Sequence, residues 1–281
     1  MPPTDAPLRH PTALIDPSAE LADDVEVGPY AVIGPQVRIG AGSRIGSHTV
    51  VRGPTSIGRN NRIYSFASIG DDPQDKKYRD EDTRLEIGDD NTIREFCTIN
   101  RGTVQDEGVT RVGNDNWLMA YVHVAHDCRL GDHIILANNS SLAGHVQMGD
   151  WVICSGFAAV HQFGRIGAHA FLGPYVGAAR DVPPYTMITG NPPEPRGLNL
   201  EGLRRRDFSA EQIRNLKEAY RILYRSGLRL AEAREQIGEL AAGKPELEPL
   251  VEFLDRTQHL SLIHISEPTR PFTLSRMPSS A

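Results

Sequence analysis

Stepping along the chain in sixes from Ile15 lands on Leu21, Val27, Ile33, Ile39, Ile45, Val51, Ile57, Ile63 and Ile69, an unbroken aliphatic run. After a polar stretch the ladder resumes at Ile87, Ile93 and Ile99. After a second stretch it shifts by one place and continues through Val112, Leu118, Val124, Leu130, Leu136, Leu142, Met148, Cys154, Val160, Ile166 and Leu172. Only 39% of the chain is hydrophobic, so a ladder that is apolar at every rung is an imposed pattern. A period of six matches neither a helical period of about 3.6 nor the alternation of a simple strand. It fits short strands joined by tight corners, three hexads to a triangular coil, in a parallel β-helix whose ladder side chains stack inward. Gly often follows the ladder residue, as in IGPQVR and LGDHII, and is expected there to supply corner backbone angles that other residues avoid.

Such a core is aliphatic, in keeping with an aromatic share of 6% and with 26 Gly and 20 Pro residues to build corners. The net charge of -6 excludes a general nucleic-acid binder, which carries a basic surplus. Cys97, Cys128 and Cys154 are too few and too unlike C-x-x-C for a disulfide framework or a thiolate zinc site, and are expected to be small buried filler. No segment offers the roughly 20 apolar residues of a spanning helix, and MPPTDAPLRHPTALIDP lacks a signal-peptide core. The expectation is a cytoplasmic protein without stable membrane insertion.

The two interruptions, residues 70–86 and 100–111, are charged and rich in turn formers, so both should leave the coil as loops, where binding residues concentrate. Beyond Leu172 the pattern dissolves through the Pro-rich DVPPYTMITGNPPEPRG. FSAEQIRNLKEAYRILYRSG then reads as a helix with a Ser209/Gln212 capping box and Gly227 at its end. Further helices are expected at Leu230–Leu240 and around Pro249–Arg256. The organisation expected is therefore a β-helix over 1–198 and a helical domain over 199–259. Residues 260–281 make up a tail whose LSLIHISEPTR looks like a translated sequencing-library adapter and not a native segment.

Residues eighteen apart occupy equivalent places on successive coils. His126, Gly144 and Gln162 form one column and Asp127, His145 and Phe163 the next, so His126, His145 and His161 are expected to converge on one edge of the prism. Three readings of this cluster compete. The histidines are polar corner residues; or they are metal ligands, against which His123 and His126, three apart, do not reproduce the spacing of hexapeptide-repeat carbonic anhydrases; or one is a general base with Asp127 fixing its tautomer beside a glycine N–H suited to an oxyanion. No nucleophile elbow, P-loop or dinucleotide fingerprint is present, which points to direct transfer.

The segments IYSFASIG, PQDKKY, IREFCTINRGTVQ, VAHDCRLG, ILANNSSLAGHV, AVHQFGRIGAH and NLEGLRRRDF, in this order over about residues 10–258, resemble the UDP-N-acetylglucosamine O-acyltransferases of lipid A biosynthesis. The resemblance implies a left-handed β-helix, against the usual right-handed crossover, and a homotrimer with active sites between neighbouring solenoids. It implies no cofactor or metal. The substrates would be UDP-N-acetylglucosamine and acyl carrier protein bearing an (R)-3-hydroxyacyl thioester. Residue by residue, it implies His126 as general base, Asp127 as its support and the Gly144 N–H as oxyanion donor. Asp75, Lys77, His123, His145, His161, Gln162, Asn199, Glu201 and Arg205 are implied as substrate contacts. Arg204, Arg205 and Arg206 form a local basic patch suited to an acidic carrier. The chain departs from the family pattern at Asn100 and Pro192, each in place of a histidine. It departs again at Pro174 and Tyr175, whose bulk is expected to shorten the acyl tunnel. A related amine acyltransferase usually carries an N-terminal uridine-binding domain, and with the ladder starting by Ile15 no such domain is expected here.

Overall fold

The structure, a computed structural model, describes residues 7–256. The adapter-like segment lies outside the described residues. Over the described residues the chain winds as a left-handed parallel β-helix of two- to five-residue strands, which stack into sheets of nine, eight and ten strands. The first sheet begins at Leu14–Ile15, the second at Glu20–Leu21 and the third at Glu26–Val27. From Val32–Ile33 to Gly177–Ala178 each strand pairs in parallel with the strand three places before it, and Leu14↔Val32 and Val32↔Val50 set a register of one coil per eighteen residues. From Val27 to Leu172 every ladder residue is buried, and together they form one continuous core; Ile15 and Leu21 cap it half-buried.

The register also accounts for the two interruptions. Ser68 pairs with Thr98, thirty residues on, so the first insertion adds two whole hexads and leaves the ladder in phase. Thr98 pairs with His123, twenty-five residues on, and the odd seven shift it by one. Both loops are shorter than the polar stretches suggest. Strands Ser68–Asp71 and Arg84–Ile87 claim both ends of 70–86, with Leu85 buried, and strands Thr98–Asn100 and Val109–Val112 claim both ends of 100–111. Arg84, Glu86 and Arg111 sit on outward positions of real strands, which composition cannot distinguish from loop.

The corners work differently from the expectation for glycine. The left-handed residue is the third after the ladder position and is seldom Gly: Tyr30, His48, Asn60, Phe96, Asp127, His145 and Trp151 all have φ near +60°. The Gly directly after the ladder residue is needed for space. A Cβ on Gly46 would lie 2.6 Å from the Ser65 backbone N of the next coil.

The ladder does not end at Leu172. Ala178 continues the six-residue step and pairs with Val160. The Pro-rich exit then forms an antiparallel pair, Thr186–Thr189 with Glu194–Leu198, at the end of the third sheet. Among the described residues four α-helices follow: α1 (Leu200–Arg205), α2 (Ala210–Arg225), α3 (Leu230–Leu240) and α4 (Glu248–Asp255). The Ser209/Gln212 capping box is formed, while α1 is too short to be legible as a pattern. Tyr185, Leu203, Leu216, Ile222, Leu223, Ile237, Leu250 and Leu254 make a second core that joins the helices to the last coil.

Candidate active site

The corner between the first and second sheets carries both loops and the histidines. His126 and Asp127 follow the strand His123–Val124, and Gly144 and His145 follow Ser141–Leu142 one coil on. His126 and Asp127 are buried. Nδ1 of His126 lies 2.8 Å from Asp127 Oδ2. Asp127 also accepts from Thr103, the backbone N–H reaching Oδ1 at 2.8 Å and the hydroxyl reaching Oδ2 at 2.6 Å, while its own N–H donates to Thr110 Oγ1 at 2.8 Å. Burial alone would raise the Asp127 carboxyl; the hydrogen bonds from His126 and Thr103 and the nearby His145 outweigh it and hold the group below the usual carboxylate range.

His145 meets His126 edge-on at 5.2 Å between ring centres, and its Nδ1 lies 3.0 Å from Asp106 of the second loop. Phe163 stacks on its other side at 4.5 Å. His161 does not join this pair. It is exposed one residue earlier in its hexad, and its Nδ1 lies 3.1 Å from the Gln162 carbonyl; the corner position next to His145 belongs to Phe163. His123, on the adjoining strand, has Nδ1 2.7 Å from Thr98 Oγ1, and burial together with the neighbouring His126 lowers its proton affinity.

Gly144 stands two places after the ladder residue Leu142. The N–H two places after a ladder residue is not used by the strand pairing. At the same edge Pro17 and Pro35 fill that position without an N–H. At the edge between the second and third sheets, the N–H groups of Arg59, Asp89, Asn114 and Asp132 donate at 2.6–2.9 Å to Asp89, Asn114, Asp132 and Asp150 one coil on. Among the described residues the Gly144 N–H has neither fate. The residue itself lies against the His126 imidazole, which a Cβ at 144 would meet at 2.6 Å.

His126, Asp127 and His145 are also the one group of metal-capable side chains among the described residues, with ligating atoms within 4.8 Å of one another. Both Nδ1 atoms and both carboxylate oxygens of Asp127 are already engaged in hydrogen bonds.

In the first loop the Asp75 carboxylate accepts from the Lys77 N–H at 3.0 Å. The loop is rooted on the same edge by Asn100, whose Nδ2 donates to the Asp72 carbonyl at 2.8 Å, and by Arg101, which reaches Gly53 O, Gly70 O, Tyr78 Oη and the Asp72 carboxylate. Thr103, Asp106 and Thr110 are site residues that sequence reasoning missed. All three fall within 100–111, a stretch whose composition marks it only as a loop.

The helical residues occupy a different edge. Asn199 is buried as the N-cap of α1, accepting from the Gly202 N–H and donating to the His169 carbonyl. Arg205 is exposed and pairs with Glu201 at 3.0 Å. Arg206 is not part of an open basic patch. It lies over the Trp151 ring at 4.8 Å and donates to the Trp151 carbonyl, because the C-cap of α1 turns it back onto the solenoid. Trp151 and His169 belong to the corner between the second and third sheets, so within one chain Asn199, Glu201, Arg204 and Arg205 do not share an edge with His126.

A parallel β-helix of hexads with a buried histidine–carboxylate pair at a loop-bearing edge defines the class of hexapeptide-repeat transferases. Profiles of the bacterial transferase hexapeptide repeat match residues 18–53 and 110–144, and the profile described as UDP-N-acetylglucosamine O-acyltransferase, domain 2, matches residues 181–262. The acyl-[acyl-carrier-protein]–UDP-N-acetylglucosamine O-acyltransferase of Thiobacillus denitrificans is 57% identical over 89% of this chain and 96% of its own, and that of Stenotrophomonas maltophilia R551-3 is 54% identical over 90% and 97%. The UDP-N-acetylglucosamine acyltransferase of Francisella novicida superposes with a TM-score of 0.88 at 45% identity, covering 89% of this chain and 92% of that one. The Moraxella catarrhalis enzyme superposes with 0.89 at 46%, covering 91% and 99%. The chain belongs to the acyl-[acyl-carrier-protein]–UDP-N-acetylglucosamine O-acyltransferase family and is an acyltransferase.

Proposed function

We propose that the protein transfers an (R)-3-hydroxyacyl chain from acyl carrier protein directly to the 3-hydroxyl of UDP-N-acetylglucosamine, the first step of lipid A biosynthesis in the cytoplasm. The observation that carries this reading is the placement of His126, with Nδ1 on Asp127 and with Cε1 and Nε2 against the face of Gly144 where a side chain would stand. Asp127 keeps the imidazole proton on Nδ1, so Nε2 is the acceptor. Nε2 takes the proton of the sugar hydroxyl while its oxygen bonds to the thioester carbonyl carbon. Negative charge passes to the carbonyl oxygen, where the Gly144 N–H donates. The C–S bond then breaks, and the proton on Nε2 goes to the departing carrier thiolate. No side-chain nucleophile enters the scheme, since burial pushes the Cys97 thiol up to about 11 and those of Cys128 and Cys154 up to about 12.

In this reading Asp75, Lys77, His123, His145, His161 and Gln162 contact substrate from one solenoid. Asn199, Glu201 and Arg205 come from a neighbouring copy in a homotrimer, which their separate edge within one chain favours. The corner between the third and first sheets supports contact between copies. It carries a stacked, exposed column of Tyr30, His48, Phe66, Phe96 and Tyr121 at 4.9–5.2 Å spacing, with Tyr175 stacked on Phe157 further along. Tyr175 and Pro174 limit acyl length from that edge. Arg204 and Arg205 attract the acidic carrier, while Arg206 serves the α1–solenoid joint. His126→Ala, assayed with acyl carrier protein substrates and UDP-N-acetylglucosamine, is expected to lose transfer with trimer and fold intact; near-wild-type activity would refute the assignment.

A further inference from the structure

Thr103 is buried, yet it stands in a loop whose next four residues are exposed. Three features hold it. Its carbonyl accepts from the N–H groups of both Asp106 and Gly108. Gly102 before it fits only without a side chain, since a Cβ there would lie 2.2 Å from the Val109 N. Arg101 before that is pinned to the backbone carbonyls of Gly70, one coil back, and Gly53, two coils back. This rigid segment aims two donors at one carboxylate, and the hydroxyl shares Asp127 Oδ2 with His126 Nδ1.

We propose that Thr103 is a positioning residue that acts through Asp127: its hydroxyl fixes the carboxylate rotamer and, by drawing on Oδ2, sets how strongly Asp127 holds the His126 proton. The proposal rests on the reading of His126 as general base. Too strong a carboxylate would leave His126 protonated at neutral pH and useless as a base; too mobile a one would release its orientation. The other groups facing the pair are His123 on the adjoining strand, His145 with its Nε2 3.7 Å from Asp127 Oδ2, and beyond His145 the Asp106–Arg129 ion pair. The Cys128 thiol beside Asp127 stays neutral.

Thr103→Val keeps shape and backbone donor and removes the hydroxyl alone. It is expected to lower kcat about 10- to 100-fold with little change in KM, and to move the acidic limb of the kcat/KM–pH profile up by about half a unit, because a less satisfied carboxylate stabilises the imidazolium. Thr103→Ser should restore both. A loss of activity with the limb unmoved, or no rescue by serine, would overturn the proposal and leave Thr103 a structural residue. Running His126→Ala alongside separates the two readings. If that variant is inactive and Thr103→Val behaves as wild type, only the Thr103 proposal fails. If His126→Ala stays active, the general-base reading fails first.

Discussion

The His126 imidazole packs directly on the Gly144 α-carbon: a Cβ added at 144 would lie 2.6 Å from Cε1 and 2.8 Å from Nε2. Gly144→Ala must therefore move the ring that Asp127 has oriented. A displacement of about an ångström at a reacting group is worth about 100-fold. We expect kcat to fall by that order while the melting temperature stays near that of the parent. An alanine variant with unchanged kcat would mean that Nε2 is not the reacting atom.

Asp127→Asn keeps the size of the side chain but offers an amide where Nδ1 needs an acceptor with charge. The favoured tautomer is lost, and kcat should drop by about 10²- to 10⁴-fold, as for an orienting carboxylate in other histidine-based sites. A pH–rate profile from 5 to 9 measures this directly. A defect confined to KM would place Asp127 in substrate binding instead.

His169 offers a pH test of the joint between solenoid and helices. Burial, followed by the charge of Arg206, pushes its imidazole down to about 4. In the unfolded chain it titrates near 6.5, so below that pH the unfolded state takes up a proton that the folded state refuses. This contribution is intact above about pH 6.5 and declines as the pH falls toward 4. Thermal melts of His169→Gln should lose less between pH 7 and pH 5 than those of the parent; parallel curves would argue against the linkage.

The three consecutive arginines should separate by assay. Arg206→Ala removes a cation over Trp151 and a bond to its carbonyl, and is expected to cost about 1–3 kcal/mol of stability. Arg204→Glu should leave stability within about 0.5 kcal/mol and raise KM for the acyl carrier, most clearly at low ionic strength. Equal effects of the two changes on carrier KM would restore the three-residue patch.

Thiol reagents supply a final check. Cys97, Cys128 and Cys154 are fully buried, and their thiols stay protonated. Labelling of the native protein should be negligible and activity unaffected, with reactivity appearing only on denaturation.

The ladder was legible from sequence because its cause is local and repeated: one inward position in six must be aliphatic wherever coils stack, and the corner residues must suit a tight turn. By the same regularity, residues eighteen apart fall side by side, so His126 over Gly144 and Asp127 over His145 could be placed without coordinates. Only the tertiary structure revealed what the irregular segments contribute. Thr103 and Asp106 reach Asp127 and His145 because the second insertion folds back over that edge, and no period encodes where a loop returns. Likewise, three adjacent arginines are equivalent as sequence, but the turn ending α1 sends Arg206 onto Trp151 and leaves Arg204 and Arg205 in solvent. The period determined which residues are inside and which are neighbours. The packing of non-repeating chain decided which charges and hydroxyls are available for chemistry.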